Sequence, residues 1–355
     1  MKITLKKRDE YKFFEYLDTK ERNIYVADRV NEFIGFDYKF LQPHSLAIEN
    51  KELITLLSND EEDYDLFKDY FDGKLECLSS KKYEQNPYFK NIKIDDIIEK
   101  HYQLKYESYK PYEIFISNEI DVLPDQYYKE ITHLAYFDKP LKFLSLYQDK
   151  VRWMLIVPSE IDTMEEELKE VNGNVVVFGL GLGYFQYIAS LKKEVKKITI
   201  VELDERIIEI FEKHILPQFE YKDKIEIVHA NAYDYIDHMM EKDQFDYAYV
   251  DLWHNAFDGV KFYTAFKKVE DKFNTTTFRY WLEPSMICLL RRCMLSLLIE
   301  QYEGLGEECY QNYNNYLDEL ITKMYYHFKD TEITSIEQIE ELLTPEYLKN
   351  LAKII

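Results

Sequence analysis

The sequence predicts an α/β protein built on a doubly wound parallel sheet, with a mostly helical N-terminal domain before it and a helical C-terminal extension after it. Three observations predict this. Only nine of the 355 residues are glycine, yet Gly179, Gly181 and Gly183 fall within five positions of one another. The run just before them, Val175-Val176-Val177-Phe178, is a short β-branched apolar stretch of the kind that forms a strand buried on both faces. Just after them, Tyr184, Ile188 and Leu191 recur at helical spacing. Strand, glycine turn and helix together open a Rossmann-like nucleotide-binding unit.

The alternation continues in order. Residues 197–201 read as a second strand and 205–214 as a helix stopped by Pro217. Residues 224–229 form a third strand, 232–241 a helix, and 245–250 a fourth strand. A helix over 260–271 and a fifth strand over 277–282, ending before Pro284, complete the block at 172–284. Strands separated by helices imply right-handed crossovers and a parallel sheet. Ahead of the block, 1–140 mixes short amphipathic stretches with turns and is expected to be mostly helical. Residues 141–147 and 151–157 pair as a hairpin across Gln148-Asp149-Lys150 and begin the central domain, 141–284. A helix over 159–171 follows, with Ser159 as N-cap and the acids Glu160 and Asp162 in its first turn. In the extension, 285–355, Ile287, Leu290, Met294 and Leu297 form one stripe, most simply core packing.

Composition narrows the partners. A net charge of −22 repels nucleic acid and anionic membranes, which leaves a small-molecule substrate, with a cationic one easiest to accommodate. The 32 Tyr are read, with the Lys, Ile and Asn excess, mainly as codon bias rather than function. Four cysteines with no CxxC pair argue against a structural zinc, and no metal is expected; buried free thiols in a reducing compartment are the simpler reading. The first ten residues are charged, and no run of 18 apolar residues occurs, so a cytoplasmic, soluble protein is expected, with a homodimer left open.

Candidate site residues cluster at successive strand ends. The turn Gly179-Leu180-Gly181-Leu182-Gly183-Tyr184 lets backbone approach a ligand and leaves helix N–H groups free for an anion. A dinucleotide fingerprint would need a small residue where Tyr184 stands, which argues against a nicotinamide oxidoreductase. Glu202, in Val201-Glu202-Leu203-Asp204, ends the second strand nineteen residues after Gly183, where a carboxylate can accept from both ribose hydroxyls. Asn231 and Ala232 follow the third strand, near an adenine edge. Asp251 ends the fourth strand, and His254 stands three residues on. His254 is either a general base oriented by a nearby acid or a loop histidine packed on Trp253. Tyr184, Tyr233, Trp253 and Trp281 could line a pocket for a sulfonium or ammonium; for any one of these rings, core packing is the simpler reading.

At these residues the block resembles a class I S-adenosylmethionine-dependent methyltransferase domain, and within that class spermidine synthase relatives. The likeness lies in a glycine motif without a preceding acid and in Val-Glu-Leu-Asp closing the second strand, over about 110 residues. It implies that Gly179, Gly181 and Gly183 line the methionine part of S-adenosylmethionine, with Tyr184 beside them. It further implies that Glu202 binds ribose, Leu203 meets the adenine face, Asn231 and Ala232 lie near the adenine, and Asp251 opens the fourth-strand motif. Departures accompany it. The polyamine enzymes have a second aspartate where His254 stands, and their N-terminal β-domain with its Tyr-Gln segment is replaced here by a longer, helical-looking region. The sixth and seventh strands usual in class I methyltransferases are not found after the fifth. Methyl transfer to a small acceptor, with Asp251 and His254 as the catalytic pair, is the reading adopted. Aminopropyl transfer to a polyamine and cofactor binding without turnover are the alternatives.

Overall fold

Five strands pair in parallel at the centre: β1 (Gly173–Phe178), β2 (Val195–Glu202), β3 (Ile225–His229), β4 (Tyr247–Val250) and β5 (Thr277–Tyr280). Their order is β3-β2-β1-β4-β5, so the direction of winding reverses between β1 and β4. The structure is a computed structural model describing residues 1–311 and 313–355. Both faces of the sheet are covered, which is why β1 from Val175 onward and all of β4 are apolar or aromatic. Helix α1 (Tyr184–Ser190) lies on one face, where Phe185 stacks on Tyr249 with ring centroids 4.0 Å apart. Helix α2 (Ala256–Glu270) lies on the other, with Phe266 5.0 Å from Phe178. Among the described residues no further strand joins this sheet; helix α3 (Glu283–Tyr302) follows β5 and buries Ile287, Leu290, Met294 and Leu297.

The predicted elements form with local adjustments. The helix expected over 205–214 is Glu205–Ile210, continued as a wider turn through Ile215. The one expected over 159–171 is two short helices, Pro158–Asp162 and Glu165–Glu170. Val157, not Ser159, precedes the first, because Pro158 with its fixed φ takes the opening position. Of the cysteines, Cys288 and Cys293 are buried, whereas Cys77 and Cys309 are exposed, against expectation; all four are free.

Helices do dominate the N-terminal region as far as Asn91, where Lys7–Gly35, Leu46–Leu57 and Glu61–Phe71 pack Val30, Phe33, Leu53, Phe67 and Phe71 into a core of their own. Beyond residue 97 the helical expectation gives way to strands. Val151–Leu155, Leu141–Gln148, Tyr102–Tyr109 and Ile97–Glu99 form, in that order, an antiparallel sheet. A β-region opening with Tyr102-Gln103 therefore stands where a helical replacement was expected. Apolar Tyr102, Leu104 and Tyr106 alternate with Gln103, Lys105 and Glu107, the period of a half-buried strand. The hairpin expected at 141–157 is its edge, turning through Asp149 and Lys150 at positive φ.

Polar contacts dock these parts on the central sheet. Tyr88 donates to the Leu182 carbonyl at 2.6 Å, Asn91 to the Tyr187 hydroxyl at 2.7 Å, and Tyr102 to Asp204 at 2.7 Å. From the C-terminal side, Arg292 pairs with Glu130, and Arg291 lies 4.0 Å over the Tyr128 ring while donating to the Leu343 carbonyl. Among the described residues no helix is long and apolar enough to cross a membrane.

Tyr88 is the tie nearest the glycine turn, so Tyr88→Phe tests it. The buried Leu182 carbonyl loses its donor, and stability should fall by about 1–3 kcal/mol, read as a lowered midpoint in denaturant titration.

Candidate functional site

The three glycines of the turn have different reasons to be glycine. Gly179 has φ +100°, and a Cβ there would lie 1.9 Å from the Asp251 carbonyl oxygen. Gly183 has φ +76°, and a Cβ would lie 2.4 Å from the Phe211 ring. Gly181, at φ +56°, has nothing within 4 Å of its would-be Cβ, so its surroundings are open. Buried Gln186 in α1 reaches back to the carbonyls of Gly179 and Leu180, at 3.1 and 3.2 Å, and sets the turn.

Glu202 at the end of β2 ties this turn to the next strand. One carboxylate oxygen accepts from the Leu180 N–H at 3.0 Å, the other from the Asp204 N–H at 2.8 Å. Each oxygen retains a second lone pair for a ligand donor. Leu203 beside it is 61% exposed, a large apolar side chain with a free face. At the end of β3, the Asn231 Oδ1 accepts from the Tyr233 and Asp234 N–H groups, at 2.8 and 3.4 Å, which leaves its amide NH₂ free of that cap. Ala232 is buried behind it.

Asp251 follows β4, its N–H donating to the Phe178 carbonyl at 2.9 Å. Its carboxylate has no hydrogen-bond partner among the described residues. Burial, and secondarily the charge of Glu202, push it up to about 7. Glu160, in the short helix Pro158–Asp162, is likewise unpartnered and is pushed up to about 8 by burial and then by Asp251. Both carboxyls keep part of their surface accessible, so the shift reflects low local polarity without full enclosure. The Tyr249 hydroxyl, buried and without a hydrogen-bond partner among the described residues, lies in the field of the same two acids and of Glu167. Sequence reasoning missed Glu160 and Tyr249 as site residues. Glu160 carried only the signal of an acid in a first helical turn, and nothing local reports that this turn folds back over β4.

His254 is exposed, and its partner is Asp258, not Asp251. Its N–H and ring Nδ1 both meet Asp258 Oδ2, at 3.2 and 3.1 Å, within the capping box that starts α2. A proton held on Nδ1 by that carboxylate leaves Nε2 as the free acceptor. Three of the four rings of the suggested aromatic pocket are packing residues. Tyr184 is buried, with its hydroxyl accepting from Asn86 at 2.8 Å. Trp253 donates to the Trp281 carbonyl at 3.1 Å, and Trp281 to the Thr163 hydroxyl at 2.9 Å. Tyr233, half-buried, stacks near Phe262.

The antiparallel sheet spans the carboxyl edge of the parallel one. Tyr102, which accepts from Gln148 at 3.0 Å, meets Asp204 beyond β2, and Trp153 meets His254 beyond β4. Two cavities lie away from this edge. One of about 540 Å³, among Lys169, Asn172, Lys192 and Asp246, is at the amino edge of β1, the end that doubly wound sheets do not use for ligands. The other, about 550 Å³, lies among Tyr88, Ile92, Tyr106 and Leu144, between the helix Pro87–Asn91 and the antiparallel sheet.

No protein-family profile matches the chain, and no curated protein does. Among solved structures it is similar to spermidine synthase from Thermotoga maritima, with 20% identity over 35% of this chain and 47% of that one, at a TM-score of 0.25. A spermidine synthase in complex with the transition-state analogue AdoDATO gives 20% identity, the same coverages and a TM-score of 0.26. A Klebsiella pneumoniae protein assigned as an O-methyltransferase gives 13% identity over 26% of this chain and 40% of that one, at 0.22. The chain spans about half the length of the spermidine synthases it matches.

Two outcomes test this geometry. Gly179→Ala should destabilise by about 2–5 kcal/mol, a left-handed backbone penalty plus overpacking against Asp251, whereas Gly181→Ala should cost about 1–2 kcal/mol. Chemical unfolding of both variants decides it. Asp251 is raised above its unfolded value, so the folded protein holds a proton that the unfolded chain has released, and stability is lost as pH rises from about 4 to about 7. The melting temperature of Asp251→Asn should therefore gain on the parent between pH 5 and pH 8.

Proposed function

We propose that the chain is a transferase that takes S-adenosylmethionine, or a close derivative, at the carboxyl edges of β1 to β4 and moves its methyl group to a nucleophile on a small acceptor. The observation that carries this reading is the Glu202 clasp: one carboxylate holds the glycine turn through the Leu180 N–H and keeps lone pairs for a ribose. In this reading Gly179, Gly181 and Gly183 run beside the methionine portion. Glu202 accepts from the ribose hydroxyls, exposed Leu203 covers the adenine face, and the Asn231 amide with Ala232 borders the adenine edge. Tyr184 opens the helix after the turn, its side chain held by Tyr88 and Asn86.

When bound, the cofactor supplies an electrophilic carbon on a cationic sulfur. The chain's part is alignment of the acceptor and removal of its proton. Asp251 suits that proton transfer, because a carboxyl that titrates near 7 is half ionised at working pH. The charge of Asp251 in turn raises Glu160, so an ionised Asp251 favours the protonated form of that second acid. The His254 Nε2 is a second acceptor at the rim.

One observation favours the alternative of aminopropyl transfer: two unpartnered carboxyls, Asp251 and Glu160, suit a protonated amine better than a neutral acceptor. Co-product analysis separates the two. Methyl transfer releases S-adenosylhomocysteine, while methylthioadenosine formed from the decarboxylated cofactor and putrescine would replace the methyl reading.

Binding experiments test the shared premise. S-adenosylmethionine should raise the melting temperature, as a ligand of the native state must. Glu202→Ala should weaken it by about 1–3 kcal/mol, roughly 5- to 150-fold in Kd. Calorimetric binding of NAD without S-adenosylmethionine would end this reading. Because the acids ionise as pH rises, affinity for the sulfonium cation should increase between pH 6 and 8.5, with proton release. The neutral sulfur of S-adenosylhomocysteine should show little of that dependence.

A further inference from the structure

The strand Tyr102–Tyr109 carries an apolar stripe that loses its cover along its length. Tyr102 and Leu104 are 4% and 1% exposed, but Tyr106 on the same face is 39% exposed. What opens there is the cavity of about 550 Å³ between this sheet and the helix Pro87–Asn91. Strand register builds its floor. Tyr106 lies opposite Leu144 and Ser108 opposite Lys142, and directly opposed residues share a face of the sheet. The helix and the segment after it supply the wall, with Phe89, Ile92 and Ile94. The Tyr106 hydroxyl joins floor to wall by donating to the Ile92 carbonyl at 3.3 Å.

Eight of the twelve lining residues are apolar or aromatic, and the other four are Glu84, Lys93, Ser108 and Lys142. A largely apolar space of this size with a few polar groups at its margin is the usual make-up of a small-molecule site. Lys142 is exposed and has no carboxylate within ion-pair distance among the described residues. The Lys93 ammonium donates to the Phe89 carbonyl at 2.6 Å, and neither lysine pairs with Glu84. The rim therefore carries two cations and one acid, a local excess of positive charge on a chain whose net charge is −22. Charge of this sign beside an apolar trough complements a ligand with an alkyl body and an anionic head.

We propose that this cavity is a second ligand site, separate from the carboxyl edge of the parallel sheet, and that it takes a free alkyl carboxylate of medium chain length. The chain lies along Tyr106 and Leu144 against Ile92, and the carboxylate meets the Lys142 ammonium and the Ser108 hydroxyl. The ligand comes from solution, because the net charge repels an anionic bilayer. Tyr88 stands between this cavity and the glycine turn: its ring lines the cavity, while its hydroxyl is engaged by the Leu182 carbonyl at 2.6 Å. The proposal does not depend on the transferase reading of the other site.

The probes are decanoate, octanoate, decanol and decyltrimethylammonium, each titrated below its micellar concentration into the full chain by calorimetry. Decanoate should bind with one-to-one stoichiometry, at least tenfold tighter than decanol, and decyltrimethylammonium should bind more weakly than either. Octanoate, two methylenes shorter, should bind about tenfold more weakly than decanoate. Lys142→Glu should weaken decanoate tenfold or more and leave decanol within threefold. Ser108→Trp, which fills the floor, should abolish binding of both. Lys142 and Ser108 are exposed, so both variants should fold, and unchanged melting temperatures check this. Saturating S-adenosylhomocysteine should leave the decanoate Kd within twofold. The proposal is overturned if decanoate does not bind, if decanol binds as tightly, if Lys142→Glu binds decanoate as the parent does, or if the nucleoside displaces it.

Discussion

The backbone of Asp251 passes so close to Gly179 that no side chain fits between them. This approach joins the exits of β1 and β4 at the place where the sheet reverses its winding, and the rest of the site depends on it. It commits the turn to positive φ at its first residue. The chain can then reverse over Leu180 and present that N–H to Glu202. The same contact brings the loop after β4 beside the glycine turn, with Asp251 itself at the junction. Two further glycines follow from that path: one is packed against Phe211, the other left in open space.

Electrostatics at this junction is deliberately unbalanced. Acids elsewhere on the surface can be paired, as Glu99 is with Lys213 and His214. Asp251 and Glu160 have none among the described residues, and burial together with a neighbouring acid, Glu202 for the first and Asp251 for the second, raises the cost of ionising each. Carboxyls raised by burial cost stability once they ionise, and strongly shifted acids of this kind cluster at functional sites. The net charge of −22 works in the same direction, drawing cations toward the chain as a whole.

The second sheet explains how the crevice is bounded. Its strands cross the carboxyl edge of the first sheet and touch it at both ends, through Tyr102 on Asp204 and Trp153 on His254. The helix Pro158–Asp162 continues from its last strand and carries Glu160 back over β4. It is pinned on both sides, since Asp162 accepts from Tyr83 at 2.7 Å and Thr163 from Trp281 at 2.9 Å. Helix α3 then links the N-terminal strand at Lys129–Ile131 to the C-terminal helices, which share the core of the central sheet, while the N-terminal helices keep a core of their own.

What the sequence by itself determined is local: the five strand–helix alternations, the glycine turn and the acids at strand ends. Each is set by short-range rules, namely apolar runs for strands buried on both faces, helical spacing for their covers, and glycine where φ must be positive. Glu202, Asn231 and Asp251 could be found because a parallel sheet sends every strand end to the same edge. The alternation of Tyr102, Leu104 and Tyr106 was equally legible, although it lay in a segment otherwise rich in helical patterns. Only the tertiary structure decided which groups meet across long separations. Glu160 is brought into the field of Asp251 from ninety-one residues away, the Tyr184 side chain packs on Tyr88 and bonds Asn86, and His254 pairs with Asp258. The bulge at Trp153, which has no residue opposite it in the strand Leu141–Gln148, leaves no mark in the sequence either, because one extra residue in a ladder is defined only by the partner strand. Burial, pairing and register are relations between distant segments, and no local pattern of residues encodes them.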